Sequence, residues 1–287
     1  MLIREVSKET NLTKKAIEYY CEHGLVNPQT LENGYRDFSS EDIEKLKKVS
    51  LYRRLGLNIS DIKAVLENQN LLKSIVYKKS LELDRQKEKQ EVLKKLNDGS
   101  KLEDVEKEIN SITAKSTILE KLLDMFPSYY GRFVSMNFSY YLNGTIETEE
   151  QKYAFEEIIE FLDNTPNLEI PKKLQDYLDE YTDAFSAKDI TKMIQSKEEN
   201  VKDYEKFIED NKDILKEYIE YKKTDEFKNS PANKLAELTK EFCKTSGYYD
   251  KFIPAMRRLS SEYNKYQERL SEVNEKFIKD YPETKNW

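Results

Sequence analysis

The stretch Thr13-Lys14-Lys15-Ala16-Ile17-Glu18-Tyr19-Tyr20-Cys21-Glu22-His23-Gly24 constrains the fold more than any other, because it is a short helix with both ends marked. Thr13 can accept a hydrogen bond from the first free amides, and Gly24 supplies the left-handed residue on which helices end. Ala16, Ile17 and Tyr20 form an apolar stripe that must face a core. Lys15 and Tyr19, four residues apart, share another face and project away from it. A cation and an aromatic hydroxyl on the free face of a short helix suit a DNA groove. Downstream, Thr30 to Phe38 encloses Asn33-Gly34, the pair favoured in two-residue hairpin turns. A helix-turn-helix followed by a small hairpin is the pattern of a winged DNA-binding unit.

The flanking sequence completes that unit. A first helix is expected over Ile3 to Thr10, with Asn11 making the turn because asparagine tolerates a left-handed backbone. Ser39-Ser40-Glu41-Asp42 is a capping pattern for a third helix that turns Ile43, Leu46 and Val49 inward and stops at Gly56. Asn58 caps a fourth, whose Ile59, Ile62, Val65 and Leu66 lie inward and whose Lys63 lies outward.

Taken together, these motifs resemble the DNA-binding domain of the MerR family of transcriptional regulators. The resemblance covers residues 1–69 and is carried by Ala16-Ile17-x-Tyr19-Tyr20-x-x-x-Gly24-Leu25, Asn33-Gly34-Tyr35-Arg36-x-Phe38, Arg53-Arg54-Leu55-Gly56 and Ile59-Ser60-Asp61-Ile62-Lys63. It implies that Lys15 enters the major groove and that Tyr19 meets a phosphate or base edge. It further implies that Arg36 on the wing and Lys63 neutralise phosphate. Arg4, Thr13 and Lys14 are further candidates, and Tyr20 is expected in the core with its hydroxyl at the rim. Two positions depart from the family pattern. Glu18 stands where many relatives carry arginine; a carboxylate there repels phosphate unless it pairs with Lys14 or accepts from cytosine N4. Thr30 replaces a frequent wing arginine.

Composition agrees with a mainly helical chain. Of 287 residues 36% are charged, with only seven glycines and seven prolines. The net charge of −7 looks adverse for a DNA binder until it is located: residues 1–70 carry 11 Lys and Arg against 11 Asp and Glu, so the excess lies wholly in the remainder. Clustering of the cations on one face then decides binding. Two distant cysteines suggest no disulfide framework, and no stretch approaches a signal peptide or membrane span. The protein is expected in the cytoplasm.

Residues 70–125 read as coiled-coil dimerisation helices. A charged helix from about Gln69 to Leu96 carries Leu72, Val76, Leu83 and Leu93. After a turn at Asn97–Ser100, Leu102, Val105, Ile109, Ile112, Ser116, Leu119 and Leu123 alternate by threes and fours. The resemblance implies antiparallel pairing with a second copy; a helical hairpin within one chain is the alternative, and either helix can face the partner.

Residues 126–287 read as an all-helical domain, which the resemblance makes an effector-sensing one. Thr148–Gln151 is a capping box, and Ser230-Pro231 starts a further helix. One long helix is expected from Ala187 to Tyr221, and one heptad stripe runs from Met256 to Phe277. Aromatic side chains crowd at Phe126, Tyr129, Tyr130, Phe133, Phe138, Tyr140 and Tyr141, with Trp287 at the far end. Two readings stand. One is a pocket for a lipophilic ligand, cations included, lined by Phe126, Tyr129, Tyr130, Phe133, Phe138 and Tyr141; the other is plain helix core.

Other chemistries find little support. Thiolate metal sensing needs clustered cysteines, whereas only Cys243 lies beyond the N-terminal unit; His23 suits the C-terminal end of a helix dipole. With no phosphate-cradling glycine loop and no later histidine, a catalytic domain, cofactor or resident metal is not expected. The sequence therefore points to a mainly α, winged helix-turn-helix regulator. It would act as a homodimer on double-stranded promoter DNA, distorting it for RNA polymerase, with a small-molecule effector a further option. An architectural or recombination-accessory DNA binder without a ligand is the rival reading.

Overall fold

The computed structural model describes residues 1–69, 71–126, 128–182 and 187–285, and the chain divides into two compact units, Met1–Ile75 and Val76–Trp287. It is mainly helical, with one small hairpin.

In the first unit, α1 (Ile3–Thr10) and α2 (Lys14–Glu22) precede strands β1 (Gln29–Thr30) and β2 (Arg36–Asp37); α3 (Ser40–Arg54) and α4 (Ile59–Glu67) follow. The predicted punctuation is present. Asn11 has φ 56°, Thr13 Oγ1 accepts from the Ala16 N–H at 3.1 Å, and Gly24 has φ 70°. Ser39 and Asp42 form a reciprocal capping box, and Asn58 accepts from the Asp61 N–H at 2.7 Å. These caps orient the apolar stripes inward, so that Val6, Ile17, Phe38, Leu46, Val49 and Ile62 share one core. Each such side chain, fully buried, stabilises by about 1.5–3 kcal/mol.

The hairpin differs from expectation in one respect. Thr30 pairs with Arg36, the Leu31 N–H donates to the Tyr35 carbonyl, and the Gly34 N–H donates to the Leu31 carbonyl. Glu32, Asn33 and Gly34 therefore form a three-residue loop, not a two-residue one. A two-residue type I′ turn would need positive φ at both Asn33 and Gly34, and only Gly34 has it, at 80°. Asn33 instead accepts the Tyr35 N–H on its side chain at 3.1 Å, which fixes a tighter local turn.

Helix α5 (Leu71–Asn97) contains the boundary between the units. In the second unit, the remainder of α5 and α6 (Leu102–Met125) form an antiparallel hairpin turned at Gly99. Ion pairs Lys78–Asp124 (3.3 Å), Arg85–Glu120 (3.4 Å), Glu88–Lys115 (3.3 Å) and Lys95–Glu108 (2.8 Å) link them. The two helices thus pair with each other within one chain. The expected seam of α6 is not continuous: Leu102 is 73% exposed, while Ala114, Ile118, Leu122 and Met125 are buried. The helix's second half is drawn into a core against α7 (Ser128–Ser139) and α8 (Glu149–Asn164). At that junction Gly131 is required, because a Cβ there would overlap the carbonyl oxygens of Phe126 and Leu123.

The expected long helix and the expected heptad stripe are each broken. Asp203 divides α10 (Ala187–Lys202) from α11 (Tyr204–Lys223) by accepting the Lys206 N–H as a new N-cap. Ser260 likewise divides α14 (Ile253–Leu259) from α15 (Ser261–Asp280), accepting the Tyr263 N–H and donating to the Tyr141 carbonyl. Helices α9 (Lys172–Thr182), α12 (Asp225–Asn229) and α13 (Pro231–Thr245), a π-helical turn at Tyr248–Phe252 and a 3-10 turn at Pro282–Thr284 complete the described elements of the unit. Its core joins Ile118, Phe138, Ile158, Phe252, Met256 and Tyr263.

Candidate functional site

The outer surface of α2 collects the residues singled out from sequence. Ile17 and Tyr20 are buried, which leaves Lys14, Lys15, Glu18 and Tyr19 exposed. Tyr19 retains 44% of its surface, and its ring lies 4.0 Å from that of His23, centroid to centroid. His23 Nδ1 sits 2.9 Å from the Tyr19 carbonyl, so that nitrogen carries the proton and donates. The Tyr19 carbonyl, which also accepts the His23 backbone N–H at 3.1 Å, thus takes a second bond from the His23 ring, which lies against the tyrosine ring. The pairing of Tyr19 with His23 escaped sequence reasoning; their four-residue separation on a helix is the one sign of it.

Arg36 is exposed on β2, Arg4 on α1 and Lys63 on α4. Lys63 Nζ stands 3.9 Å from where a Cβ at Gly24 would be, so α4 delivers this cation to the C-terminal end of α2. Arg36 lies close enough to Cys21 to act on its thiol: burial pushes the thiol up, Arg36 opposes this, and Asp42, Glu18 and Glu22 add to it. The wing cation thus acts electrostatically on a residue of α2.

The cations of this neutral unit differ in their partners. On α3, Lys45 is bound to Glu41 at 2.7 Å, and Lys47 to both Glu44 and Glu9. By contrast, Arg4, Lys14, Lys15, Arg36 and Lys63 enter no ion pair among the described residues. Glu18 is not paired with Lys14 either, which removes one of the two ways of reconciling it with phosphate. Arg53, a residue of the family motif, is structural. Its Nη1 donates to the Leu57 carbonyl at 2.8 Å and holds the turn into α4. Tyr35 and Leu31 leave apolar surface exposed on the wing. Sequence reasoning absorbs Tyr35 into the hairpin motif and passes over it as a surface residue.

Helix α2 on a buried stripe, a wing beside it and unpaired cations on both define a winged helix-turn-helix domain. Residues 1–69 match the MerR HTH family regulatory protein family, and the N-terminal domain belongs to that family. Over 66 residues the chain is 36% identical to the HTH-type transcriptional regulator HmrR of Rhizobium leguminosarum bv. viciae, covering 23% of this chain and 51% of that one. It is 40% identical over 62 residues to the HTH-type transcriptional regulator CueR of Salmonella typhi, covering 21% and 45%. A longer similarity, 27% over 154 residues, links it to the Multidrug-efflux transporter 2 regulator of Bacillus subtilis (strain 168), covering 52% and 51%. The chain spans about half the length of these curated relatives.

In the second unit the aromatic segment is packed. Phe126 is buried edge-on against Phe242 (5.7 Å) and Tyr248 (6.3 Å), and Phe138 against Phe252 (5.2 Å). Tyr141 is buried against Tyr263 and Tyr266 at 5.1 and 5.4 Å. Tyr130 is half-buried and hydrogen-bonds Thr239, and Phe133 is half-buried. The side chain of Tyr129, and Trp287, lie outside the described residues. Rings of the segment therefore serve as core at Phe126, Phe138 and Tyr141. A cavity of about 520 Å³ opens beside Met136, Ser139 and Tyr140, which α7 and its C-terminal end present to α5, α6 and α10. Among the described residues no group of three or more His, Cys, Asp and Glu could hold a metal ion, and no helix is long and apolar enough to cross a membrane.

Proposed function

We propose that this protein is a sequence-specific DNA-binding transcriptional regulator that acts as a homodimer in the cytoplasm. Each copy places α2 in a major groove and the hairpin against the neighbouring backbone, with half-sites about 34 Å apart. The observation that carries this reading is the state of the cations of α2, the wing and α4, which are exposed and meet no carboxylate among the described residues, whereas Lys45 and Lys47 of α3 are paired. Unpaired cations can displace the counterions of DNA without first breaking an ion pair. Lys15, Lys14 and Tyr19 face the groove, Thr13 fixes the helix start, and Arg4, Arg36 and Lys63 grip phosphate.

Dimerisation is assigned to the coiled-coil region, where Val76, Leu83 and Leu93 of α5 remain exposed. Distortion of promoter DNA, contact with RNA polymerase and control by an effector on residues 126–287 belong to the same reading. The regulators named among the relatives support the regulatory role in which these steps would take place. A physical condition attaches to such control: an effector must bind two dimer conformations unequally, since equal affinity shifts nothing.

Binding of the full chain to operator-containing promoter fragments as a function of salt tests this reading. Affinity should fall steeply, with log K declining by about 0.9 per phosphate neutralised. Lys15→Ala and Arg36→Ala should each weaken binding and flatten that slope by about one. Unchanged affinity in both variants overturns the assigned face.

A further inference from the structure

The stripe that runs down α15 from the core does not stay buried. Tyr263 and Tyr266 are enclosed, but Leu270, Val273 and Phe277 emerge along a groove of about 650 Å³ between α15 and the α10–α11 pair. Across the groove Val201 and Phe207 complete an apolar channel. The volume is that of a small-molecule site. From Lys197 to Phe207 the wall spans ten residues, about 15 Å of helix.

The two ends of the groove differ. At the far end Tyr204 donates its hydroxyl to Asp280 at 2.9 Å, and Lys276 binds Glu205 at 2.7 Å, so the polar groups there are committed to each other. At the near end stand Lys192 and Lys197 with Ser196 and Asn200, and no carboxylate lines the groove among the described residues. Lys197 holds its ammonium 5.6 Å from the centre of the Tyr266 ring. Neither lysine enters an ion pair among the described residues, so both ammonium groups are available to an anion in the groove. Glu198, next in sequence, is turned toward the core, where it accepts the hydroxyl of Tyr141 at 2.5 Å and pairs with Lys202 at 3.9 Å. Although its side chain reaches solvent, desolvation along the groove lowers the pKa of Lys197 and Glu198 opposes it, so this ammonium is stabilised further by any anion that reaches it.

We infer that the groove between α10–α11 and α15 binds a single-chain amphipathic carboxylate, its head on Lys192 and Lys197 and its tail along Leu270 and Val273 toward Phe277. Charge complementarity decides the ligand class: a lipophilic cation would meet two ammonium groups and no carboxylate. The groove also departs from the aromatic segment on which the sequence centred its ligand expectation. Binding stands independently of any DNA contact. The further step, that such a carboxylate is the effector, rests on the reading proposed above.

Calorimetry on the full chain with dodecanoate below its micellar concentration, beside dodecyltrimethylammonium and dodecyl maltoside, tests the inference without DNA. Dodecanoate should bind one molecule per chain, at least tenfold tighter than the cationic or uncharged probe. The surface double variant Lys192→Gln/Lys197→Gln should lose at least tenfold, and Val273→Trp, which fills the channel, should abolish binding while melting as wild type does. No binding of dodecanoate, equal affinity for the cation, or undiminished binding by the lysine double variant overturns it. So does a dimer that Val273→Trp converts to monomer while dodecanoate fails to bind, which would make the groove an interface between copies. Operator affinity measured with and without dodecanoate then addresses the regulatory step alone.

Discussion

Tyr141 donates its hydroxyl to Glu198 at 2.5 Å, joining the segment after α7 to α10 across 57 residues of sequence. The Tyr140 hydroxyl reaches the same carboxylate. Burial, followed by the hydrogen bond to Glu198, pushes the Tyr141 phenol far above its ordinary value, so it stays a neutral donor to a charged acceptor. Such bonds are stronger than neutral ones. Tyr141→Phe takes a donor from a buried carboxylate and should cost about 1–3 kcal/mol. Urea unfolding measures this; an unmoved midpoint would show that the pair contributes nothing.

Cys243 gives a pH dependence with a definite sign. Burial pushes its thiol from 9.0 up to about 11, opposed by a hydrogen bond with Tyr249. Between those values the unfolded chain releases the proton that the folded chain retains. The contribution is therefore complete below pH 9 and is lost as pH rises toward 11, to at most about 3 kcal/mol. Denaturation midpoints taken from pH 8 to 11 should decline more steeply for wild type than for Cys243→Ala. Parallel curves would refute the assignment.

Gly34 is the left-handed residue of the wing loop, with open space around its absent Cβ. Gly34→Ala therefore strains only the backbone, by about 1 kcal/mol. Amide exchange at the Leu31 and Gly34 N–H groups, both bonded within the loop, should quicken about fivefold. Exchange as slow as in wild type would mean the loop adopts another turn at no cost.

Glu18, exposed and unpaired with Lys14, leaves cytosine N4 as the contact that reconciles it with a groove. Selection of preferred DNA sites should return different consensus sequences for wild type and Glu18→Arg. The same consensus from both would mean that Glu18 does not read bases.

Local chemistry makes the N-terminal unit legible. Asn11, Thr13, Ser39 and Asn58 act within three residues of themselves, and each performs the turn or cap its type suggests. The wing loop is harder to read because Asn33-Gly34 is compatible with two turns, and the side-chain bond from Asn33 to Tyr35 selects between them. Farther along, Asp203 and Ser260 interrupt stripes whose apolar spacing continues unbroken, so periodicity alone passes over both breaks. What stabilises them is distant: Tyr204 binds Asp280, and Ser260 binds the Tyr141 carbonyl. The unpaired state of Lys15 and Arg36 is likewise invisible in the sequence, since it depends on which carboxylates the fold brings near. Lys197 shows the same limit at the groove.

Lys197 and Glu198 are neighbours in sequence, yet one faces the groove and the other the tyrosine core. Helix α10 is therefore a shared wall. It cannot slide or roll to suit an occupant on one side without stretching the Tyr141 hydroxyl bond on the other. Tyrosine absorbance, which responds to the loss of a carboxylate acceptor, would make the core an optical gauge of what happens in the groove.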